Sequence, residues 1–267
     1  MLKSMRKIVY LIAIAIAFTS CSEYQKALKS EDTGVKYTMA EQLYNEGKYS
    51  KANRLFEQIL PKYVGKPQGE RVMYMYADAA YQVNDYYLAA YQFERFANSY
   101  PKSSKAQEAA YLSAKATYLT SPKFSLDQTE TYDALNKLQN YINKYPNSEY
   151  LQETNQLVQD LTQKLEKKDL EIAKQYKKTF KYKSSIKSIE NFLVDYPGSE
   201  LKEEALFVKL EATYELAVNS FEYLIKDRLE QAQEAYDDLI KYYPNTSFSD
   251  EATKIQESIT EELSKRS

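Results

Sequence analysis

Few residues of this chain could act in catalysis or bind a metal ion. The residue types that it lacks already exclude several kinds of site. Its 267 residues include no histidine and a single cysteine, Cys21. Catalytic triads that use histidine, cysteine–histidine dyads, the common zinc sites and a disulfide within one chain are therefore excluded. The formal net charge is −2, and no basic stripe is concentrated enough to favour nucleic acid as a ligand.

Neighbouring carboxylates are the remaining groups that could do acid–base work or hold a metal ion. They occur in three pairs on predicted helices: Glu203-Glu204, Asp237-Asp238 and Glu261-Glu262. No glycine-rich loop or apolar pocket is indicated around them, so solvated helix faces explain them better than catalysis does. The sequence predicts a binding protein, not an enzyme, with no catalytic residue, no metal site and no cofactor.

Cys21 stands at the end of a segment typical of exported proteins. Three basic residues precede an apolar run at 8–18, which is too short to span a bilayer, for which about 20 residues are needed. The run ends in Phe18-Thr19-Ser20-Cys21. This junction resembles a bacterial lipobox, although the commonest lipobox has Leu where Phe18 stands. Ordinary cleavage beside an incidental cysteine is the alternative.

The lipobox resemblance implies a processed and acylated N-terminus. Residues 1–20 would be the lipoprotein signal peptide, and Cys21 would become the lipid-attached (palmitate-type) first residue of the mature chain. Several acyl chains give stable anchoring where one gives only marginal binding. The polar segment at 21–35 is predicted to be a tether.

Internal repeats organise the rest of the chain. Four segments end in Tyr-Pro followed two residues later by Ser or Thr, which indicates a helix stop and then an N-cap. These segments are Tyr100-Pro101-Lys102-Ser103, Tyr145-Pro146-Asn147-Ser148, Tyr196-Pro197-Gly198-Ser199 and Tyr243-Pro244-Asn245-Thr246. In a first, related segment, Val64 stands where the proline belongs.

Each segment is preceded by a helix with one apolar stripe. A small residue and three larger ones follow in steps of four, three and four, the spacing that stacks helix on helix. The stripes are Ala52, Phe56, Ile59, Tyr63; Ala89, Phe93, Phe96, Tyr100; Ala134, Leu138, Tyr141, Tyr145; Ser185, Ile189, Phe192, Tyr196; and Ala232, Tyr236, Leu239, Tyr243. Five helical hairpins are therefore predicted.

The hairpins resemble tetratricopeptide repeats. Ala40, Ala77 and Ala173 each stand twelve residues before the small residue of the following helix, as in that family. The resemblance implies an all-α superhelical solenoid of five repeats, with a C-terminal capping helix at 249–263. The repeats are longer than the usual 34 or so residues, and the extra length falls partly at 121–128 and 219–227.

A stretch without Gly or Pro suggests how the repeats are grouped. It would form a long linking helix at 148–180. Repeats one to three would make an N-terminal module at 36–147. Repeats four and five, with the capping helix, would make a C-terminal module at 165–267.

Six tyrosines recur at two positions of the first helices, seven residues apart and so on one face. They are Tyr37, Tyr74 and Tyr111, then Tyr44, Tyr81 and Tyr118; we call them the tyrosine ladder. In tetratricopeptide proteins these positions line the concave groove. The ladder could bind an extended peptide with aromatic side chains, its hydroxyls free for hydrogen bonds. Alternatively, the rings pack between repeats.

A basic cluster follows the long helix. It comprises Lys174, Lys177, Lys178, Lys181 and Lys183 with Tyr176, Phe180 and Tyr182. It could meet an acidic partner or lipid headgroups, or it could be a solvated surface.

A lipobox followed by five repeats ending in Tyr-Pro-x-Ser is similar to the BamD (ComL or YfiO) family, lipoproteins of the outer-membrane β-barrel assembly machinery, the BAM complex. The resemblance implies anchoring in the outer membrane, facing the periplasm. It implies that the C-terminal repeats bind BamA, the barrel protein, and that the N-terminal repeats receive targeting segments of unfolded outer-membrane proteins. Other assembly lipoproteins are further expected partners.

Two other functions are compatible with the pattern. A different tetratricopeptide lipoprotein, serving pilus assembly or cell-envelope coordination, would share fold and location. A solenoid-type glycan-active enzyme would need an additional catalytic domain with an essential Glu, whereas here the repeats take up the chain.

Overall fold

The computed structural model describes residues 23–266. The predicted signal peptide and Cys21 lie outside them. Within the described residues the chain is entirely helical, as expected from many Ala, Leu, Glu, Lys and Gln and few Gly and Pro. No helix in this part is both long and apolar enough to cross a membrane.

Eleven helices of thirteen residues or more follow a short helical segment at 23–29. They are α1 (Thr33–Asn45), α2 (Tyr49–Tyr63), α3 (Gly69–Gln82), α4 (Tyr86–Ser99), α5 (Ala106–Thr120), α6 (Thr129–Lys144), α7 (Leu151–Lys178), α8 (Tyr182–Asp195), α9 (Lys202–Val218), α10 (Glu222–Tyr242) and α11 (Ser249–Ser264). Consecutive helices α1 to α10 pair into five hairpins, so the tetratricopeptide-like, all-α fold is confirmed.

The N-terminal unit contains α1 to α6 and the start of α7, as residues up to Ser121 and Thr129–Val158. Its core is built from the predicted stripes. Phe56, Phe93, Phe96 and Leu138 are fully buried beside alanines that let neighbouring helices approach closely. The spacing of four, three and four therefore identified the core side of the second helices correctly.

The C-terminal unit contains Pro122–Gln128 and the chain from Gln159 onward. Leu170, Ile189, Leu210 and Leu239 are buried in its core. The inserted turn of repeat three belongs to this unit, because Lys168 in α7 donates hydrogen bonds to the Phe124 carbonyl oxygen (3.3 Å) and the Leu126 carbonyl oxygen (2.6 Å).

The C-terminal helix α11 covers the last hairpin. Ala252 and Ile259 are fully buried against it, while much of the helix surface is exposed. A terminal repeat needs such a cover, since its apolar face has no following repeat. The predicted capping helix is confirmed.

The Ser and Thr residues after Tyr-Pro act differently from the predicted N-caps. Each lies three residues before its helix and accepts a hydrogen bond from the backbone N–H two residues on, at 3.0–3.2 Å. Three of the hydroxyls also donate to a glutamate at the start of their own repeat: Ser103 to Glu70, Ser199 to Glu166 and Thr246 to Glu203, at 2.6–2.8 Å. The hydroxyl therefore ties the loop to the first helix of its repeat.

The tether predicted at 21–35 is corrected by the structure. Residues 23–29 are helical, and Tyr24 and Ala27 are 5% and 2% exposed. Lys51 of α2 lies over the Tyr24 ring, with its Nζ 5.3 Å from the ring centre. Polar composition hid the short apolar face formed by Tyr24, Ala27 and Leu28, which packs on the N-terminal core.

Candidate functional site

The tyrosine ladder lies on the first helices α1, α3 and α5. Five of its six members are half-buried, so each presents part of its ring to solvent; these are Tyr37, Tyr44, Tyr74, Tyr81 and Tyr118. Tyr111 is only 3% exposed.

The rings of the ladder pack against the second helix of their own repeat. Tyr74 meets Phe93 and Phe96 edge-on, at centroid distances of 5.7 and 5.3 Å. Tyr44 meets Phe56 in the same way at 6.3 Å. Edge-to-face contacts of this kind stabilise aromatic pairs beyond the area they bury. Part of each ring therefore serves the fold, as the packing interpretation expected.

The hydroxyls of Tyr37, Tyr44 and Tyr74 donate hydrogen bonds within the chain, which corrects the expectation that they would be free, and Tyr37 donates to Glu41 of its own helix at 3.5 Å. Tyr44 donates to the carboxylate of Asp78, and Tyr74 donates to that of Glu108 at 2.9 Å. Both acceptors lie 34 residues further on, in the first helix of the next repeat. Burial first, and then the bonded carboxylate, raise the pKa of both tyrosines. These hydroxyls join successive repeats.

Tyr111 is the exception within the ladder. It stacks on Tyr150 with 4.3 Å between ring centres and contacts Tyr141 at 5.8 Å. Burial first, and then Glu153, raise its pKa. A residue this enclosed cannot line an open groove, so the structure removes Tyr111 from the predicted peptide-binding residues. Its partner Tyr150 comes from a loop whose position the sequence did not reveal.

Ion pairs alternate with the tyrosines along the same helices. Arg71 of α3 pairs with Glu41 of α1. Lys115 of α5 pairs with Glu153 of α7 at 2.7 Å. The ladder face is therefore lined by charged groups of both signs that connect one first helix to the next.

A cavity of about 380 Å³ opens beside Tyr74. Its walls are formed by Pro67, Glu70, Arg71, Tyr74, Met75, Phe96 and Lys105. Glu70 accepts a hydrogen bond from Ser103, and Lys105 pairs with Glu108 at 2.5 Å. The Lys105 Nζ lies 5.3 Å from the centre of the Tyr74 ring, and the Arg71 side chain is 61% exposed. An aromatic wall with two cations at its edge fits an aromatic group that carries a carboxylate.

The basic cluster is partly neutralised. Lys174 bonds the carboxylates of Glu171 and Glu204 at 2.8 Å each, and Lys177 pairs with Glu211. The side chains of Lys178, Lys181 and Lys183 are exposed. Tyr176 is half-buried, and Tyr182 donates a 3.4 Å hydrogen bond to Glu215.

The carboxylate pairs have structural partners. Glu203 accepts hydrogen bonds from Thr246 and Ser247, and these bonds lower its pKa. Glu262 forms ion pairs with Lys265 and Arg266. Residues 23–266 contain no group of three or more acidic, Cys or His side chains placed to hold a metal ion.

Among solved structures, two similar chains share little sequence with this one. A protein from Podosopora anserina with nearly identical kinesin-light-chain TPR-like repeats is 14% identical, with a TM-score of 0.31, over 82% of this chain and 99% of that one. A computationally designed self-assembling cyclic homo-oligomer is 13% identical, with a TM-score of 0.21, over 97% and 96%. No match was found among curated proteins.

Two family models match the sequence. A tetratricopeptide-repeat model matches residues 211–246, which cover the second half of α9 and all of α10. The model of the YfiO family, described as an outer membrane lipoprotein, matches residues 30–226. Since this match takes in most of the chain, from α1 into α10, the chain belongs to the YfiO family of outer membrane lipoproteins.

Proposed function

We propose that this chain is a lipid-anchored scaffold of the outer-membrane β-barrel assembly machinery, facing the periplasm. The observation that carries the proposal is the family match over residues 30–226, which spans nearly the whole stack of hairpins. Tandem helical repeats present long surfaces of side chains to other proteins, and this chain offers such surfaces in both units. The acylated residue would be Cys21.

The N-terminal repeats, at 36–147, would hold the targeting segment of an unfolded outer-membrane protein. The half-buried ladder residues supply ring edges along three successive first helices. The cavity beside Tyr74 supplies an end point, because the terminal aromatic ring of the segment would lie against Tyr74 while its carboxylate meets Arg71 and Lys105. The Tyr81 hydroxyl has no hydrogen-bond partner among the described residues, so it can bond the peptide backbone.

The C-terminal repeats, at 165–267, would hold the machinery itself, with a BamA-like barrel protein as the main partner. Exposed aromatic rings support a protein-binding role here: Phe180 and Tyr223 are 79% and 78% exposed. Large apolar side chains of this kind are enriched at the energetic centres of protein interfaces.

Replacing Arg71 tests the substrate site. A labelled peptide that ends in Phe with a free carboxylate should bind Arg71→Gln about tenfold more weakly than the unchanged protein, because one charge-assisted contact is lost. Fluorescence anisotropy measures this affinity. The exposed Arg71 side chain contributes little to stability through its ion pair with Glu41, so folding should be unaffected.

Two controls show whether the effect is specific to Arg71 and to the terminal carboxylate. Lys62→Gln removes an equal charge from an exposed position of α2 and should leave affinity unchanged. An amidated peptide should bind the unchanged protein as weakly as the free-acid peptide binds Arg71→Gln. Equal affinity for both peptides would show that no terminal carboxylate is recognised.

Co-purification tests the assignment to the assembly machinery. The acylated protein, solubilised from outer membranes after crosslinking, should bring down a barrel protein with periplasmic domains, identified by mass spectrometry. Recovery of pilus or peptidoglycan machinery in its place would contradict the assignment.

A further inference from the structure

Phe180 holds a backbone conformation that its side chain does not favour. It follows α7 directly, with φ at 60°. The Phe180 N–H donates to the Lys177 carbonyl oxygen at 3.0 Å, and the Lys181 N–H donates to the Tyr176 carbonyl oxygen at 2.9 Å. This pattern ends a helix with one left-handed residue, which is usually Gly and sometimes Asn.

The same turn in repeats one and two uses the expected residues. Gly47 has φ at 70° and Asn84 has φ at 62°. The Lys48 N–H reaches back to the Leu43 carbonyl oxygen at 2.8 Å, and the Asp85 N–H to that of Ala80 at 3.0 Å. Phe180 therefore replaces a residue type that tolerates this conformation with one that is strained in it.

Packing within the chain does not offset the strain. The Phe180 side chain is 79% exposed. Its ring contact is with Tyr182, edge-on at 6.2 Å between ring centres. Strained residues whose side chains do not stabilise the fold are typical of functional sites.

A cavity of about 420 Å³ adjoins the exposed ring. Phe180 and Tyr182 form one side, and Tyr214 of α9 and Ile255 of α11 form an apolar part of the other. Two carboxylates also border it, and both are engaged: Glu211 pairs with Lys177, and Glu215 accepts a hydrogen bond from Tyr182. The space can take one large apolar side chain.

The surface around the ring is positively charged. Lys178, Lys181 and Lys183 are exposed and make no ion pair with any residue of the range 23–266. They lie within three residues of Phe180 along the chain. An apolar ring surrounded by unpaired cations is complementary to a segment that carries an apolar residue among carboxylates.

We infer that the turn between α7 and α8 is a docking site for an acidic segment of a partner protein. One large apolar side chain of that segment fills the cavity against Phe180, and its carboxylates pair with Lys178, Lys181 and Lys183. A protein segment fits better than an anionic lipid surface, because a cavity that takes one apolar side chain serves a segment and is not needed by a lipid surface. The site rests on the proposed scaffold function and adds the chemistry of one partner.

Peptide binding to the full-length acylated protein in neutral detergent tests this site. The probe is a labelled peptide of about twelve residues, rich in Glu and Asp, with one central Phe. Phe180→Asn should weaken binding about tenfold or more. It should leave the melting temperature unchanged or raise it by a few degrees, because Asn tolerates the left-handed conformation.

Opposite effects on affinity and stability separate docking from a structural role. Loss of stability together with affinity would overturn the inference. Phe221→Asn is the matched control: Phe221 is 74% exposed in the same unit, but its φ is an ordinary −63°. This variant should bind the probe as the unchanged protein does.

Charge and lipid controls complete the test. The double variant Lys178→Glu/Lys183→Glu should lose the probe, and raised salt should weaken binding to the unchanged protein. Vesicles of phosphatidylglycerol that bind in a Phe180-dependent manner, with no binding of the peptide, would overturn the inference. Because the probe comes from no assembly protein, failure here leaves the co-purification result of the proposed function intact.

Discussion

Tyr44 and Tyr74 each divide their interactions between ring and hydroxyl. The ring packs on the second helix of its own repeat, and the hydroxyl bonds a carboxylate of the next. The same side chain thus stabilises one hairpin and joins it to its neighbour. This explains how tyrosine can recur at ladder positions for structural reasons while leaving a ring edge available to a ligand.

The Tyr74 hydroxyl gives a prediction at the scale of one residue. Burial, followed by the Glu108 carboxylate, raises the pKa of Tyr74 above its usual value of 10.0. The folded chain therefore keeps a proton that the unfolded chain loses above about pH 10. The associated stability is fully present below that pH and is lost as the pH rises further.

Tyr74→Phe should accordingly lower the free energy of unfolding by about 1 kcal/mol at neutral pH. Above about pH 10, its stability should fall less steeply than that of the unchanged protein, by about 1.4 kcal/mol per pH unit for the one proton removed. Urea unfolding at several pH values measures both. Tyr132→Phe, at a ring that is 54% exposed, should change neither, and an unaltered alkaline slope in Tyr74→Phe would contradict the assignment.

At the scale of the helices, the loops between repeats differ in how closely they bring the backbones of successive helices together. The four Tyr-Pro loops share one hydroxyl-centred turn, but in the loop between α2 and α3 Val64 follows the tyrosine in place of proline, and Gly69 begins the next helix. A Cβ atom added there would lie 2.3 Å from the Tyr63 carbonyl oxygen and 2.9 Å from the Tyr100 hydroxyl. The backbone of α3 therefore passes close to the end of α2 at this junction.

Gly69→Ala should therefore destabilise the protein, by about 1–3 kcal/mol, because backbone atoms must shift. The melting temperature should fall by about 2–4 °C for each kcal/mol, as measured by circular dichroism. Gly198→Ala is the matched change in a Tyr-Pro loop, where a Cβ would meet nothing within 4 Å; it should be close to neutral. Equal melting temperatures for the two variants would contradict the close approach.

At the scale of the whole molecule, the proposed lipid anchor Cys21 and the folded chain are close in sequence. The helical segment at 23–29 begins two residues after Cys21, a distance of at most about 7 Å for extended chain. Because Tyr24 is buried in the N-terminal unit, a lipid on Cys21 would hold that unit near the membrane surface, without the long tether that composition suggested.

Cys21→Ser should abolish lipid attachment and release the protein from the membrane fraction, since the acyl chains supply the anchoring free energy. Metabolic labelling with palmitate, followed by fractionation, measures both effects. Ser22→Ala, beside the cysteine, should retain label and location. Continued membrane association of an unlabelled Cys21→Ser protein would point to anchoring by other means.

The sequence by itself determined the hairpins and their cores. The stripes of four, three and four, the Tyr-Pro stops and the twelve-residue spacing from Ala40 to Ala52 all act within one or two helices. Local steric and hydrophobic constraints of this range are readable along the chain. The capping helix α11 is predictable for the same reason, because its pattern lies within a single helix.

Only the tertiary structure decided which side chains are free. Tyr111 is enclosed by Tyr150, the Tyr44 and Tyr74 hydroxyls are taken by the next repeat, and Tyr24 is buried although its segment is polar. Phe180 is the opposite case, an apolar side chain that is exposed. Its exposure and its left-handed backbone follow from a turn that sequence spacing does not mark. Each of these outcomes depends on contacts between residues far apart in the chain or on a backbone angle, and neither leaves a periodic signal.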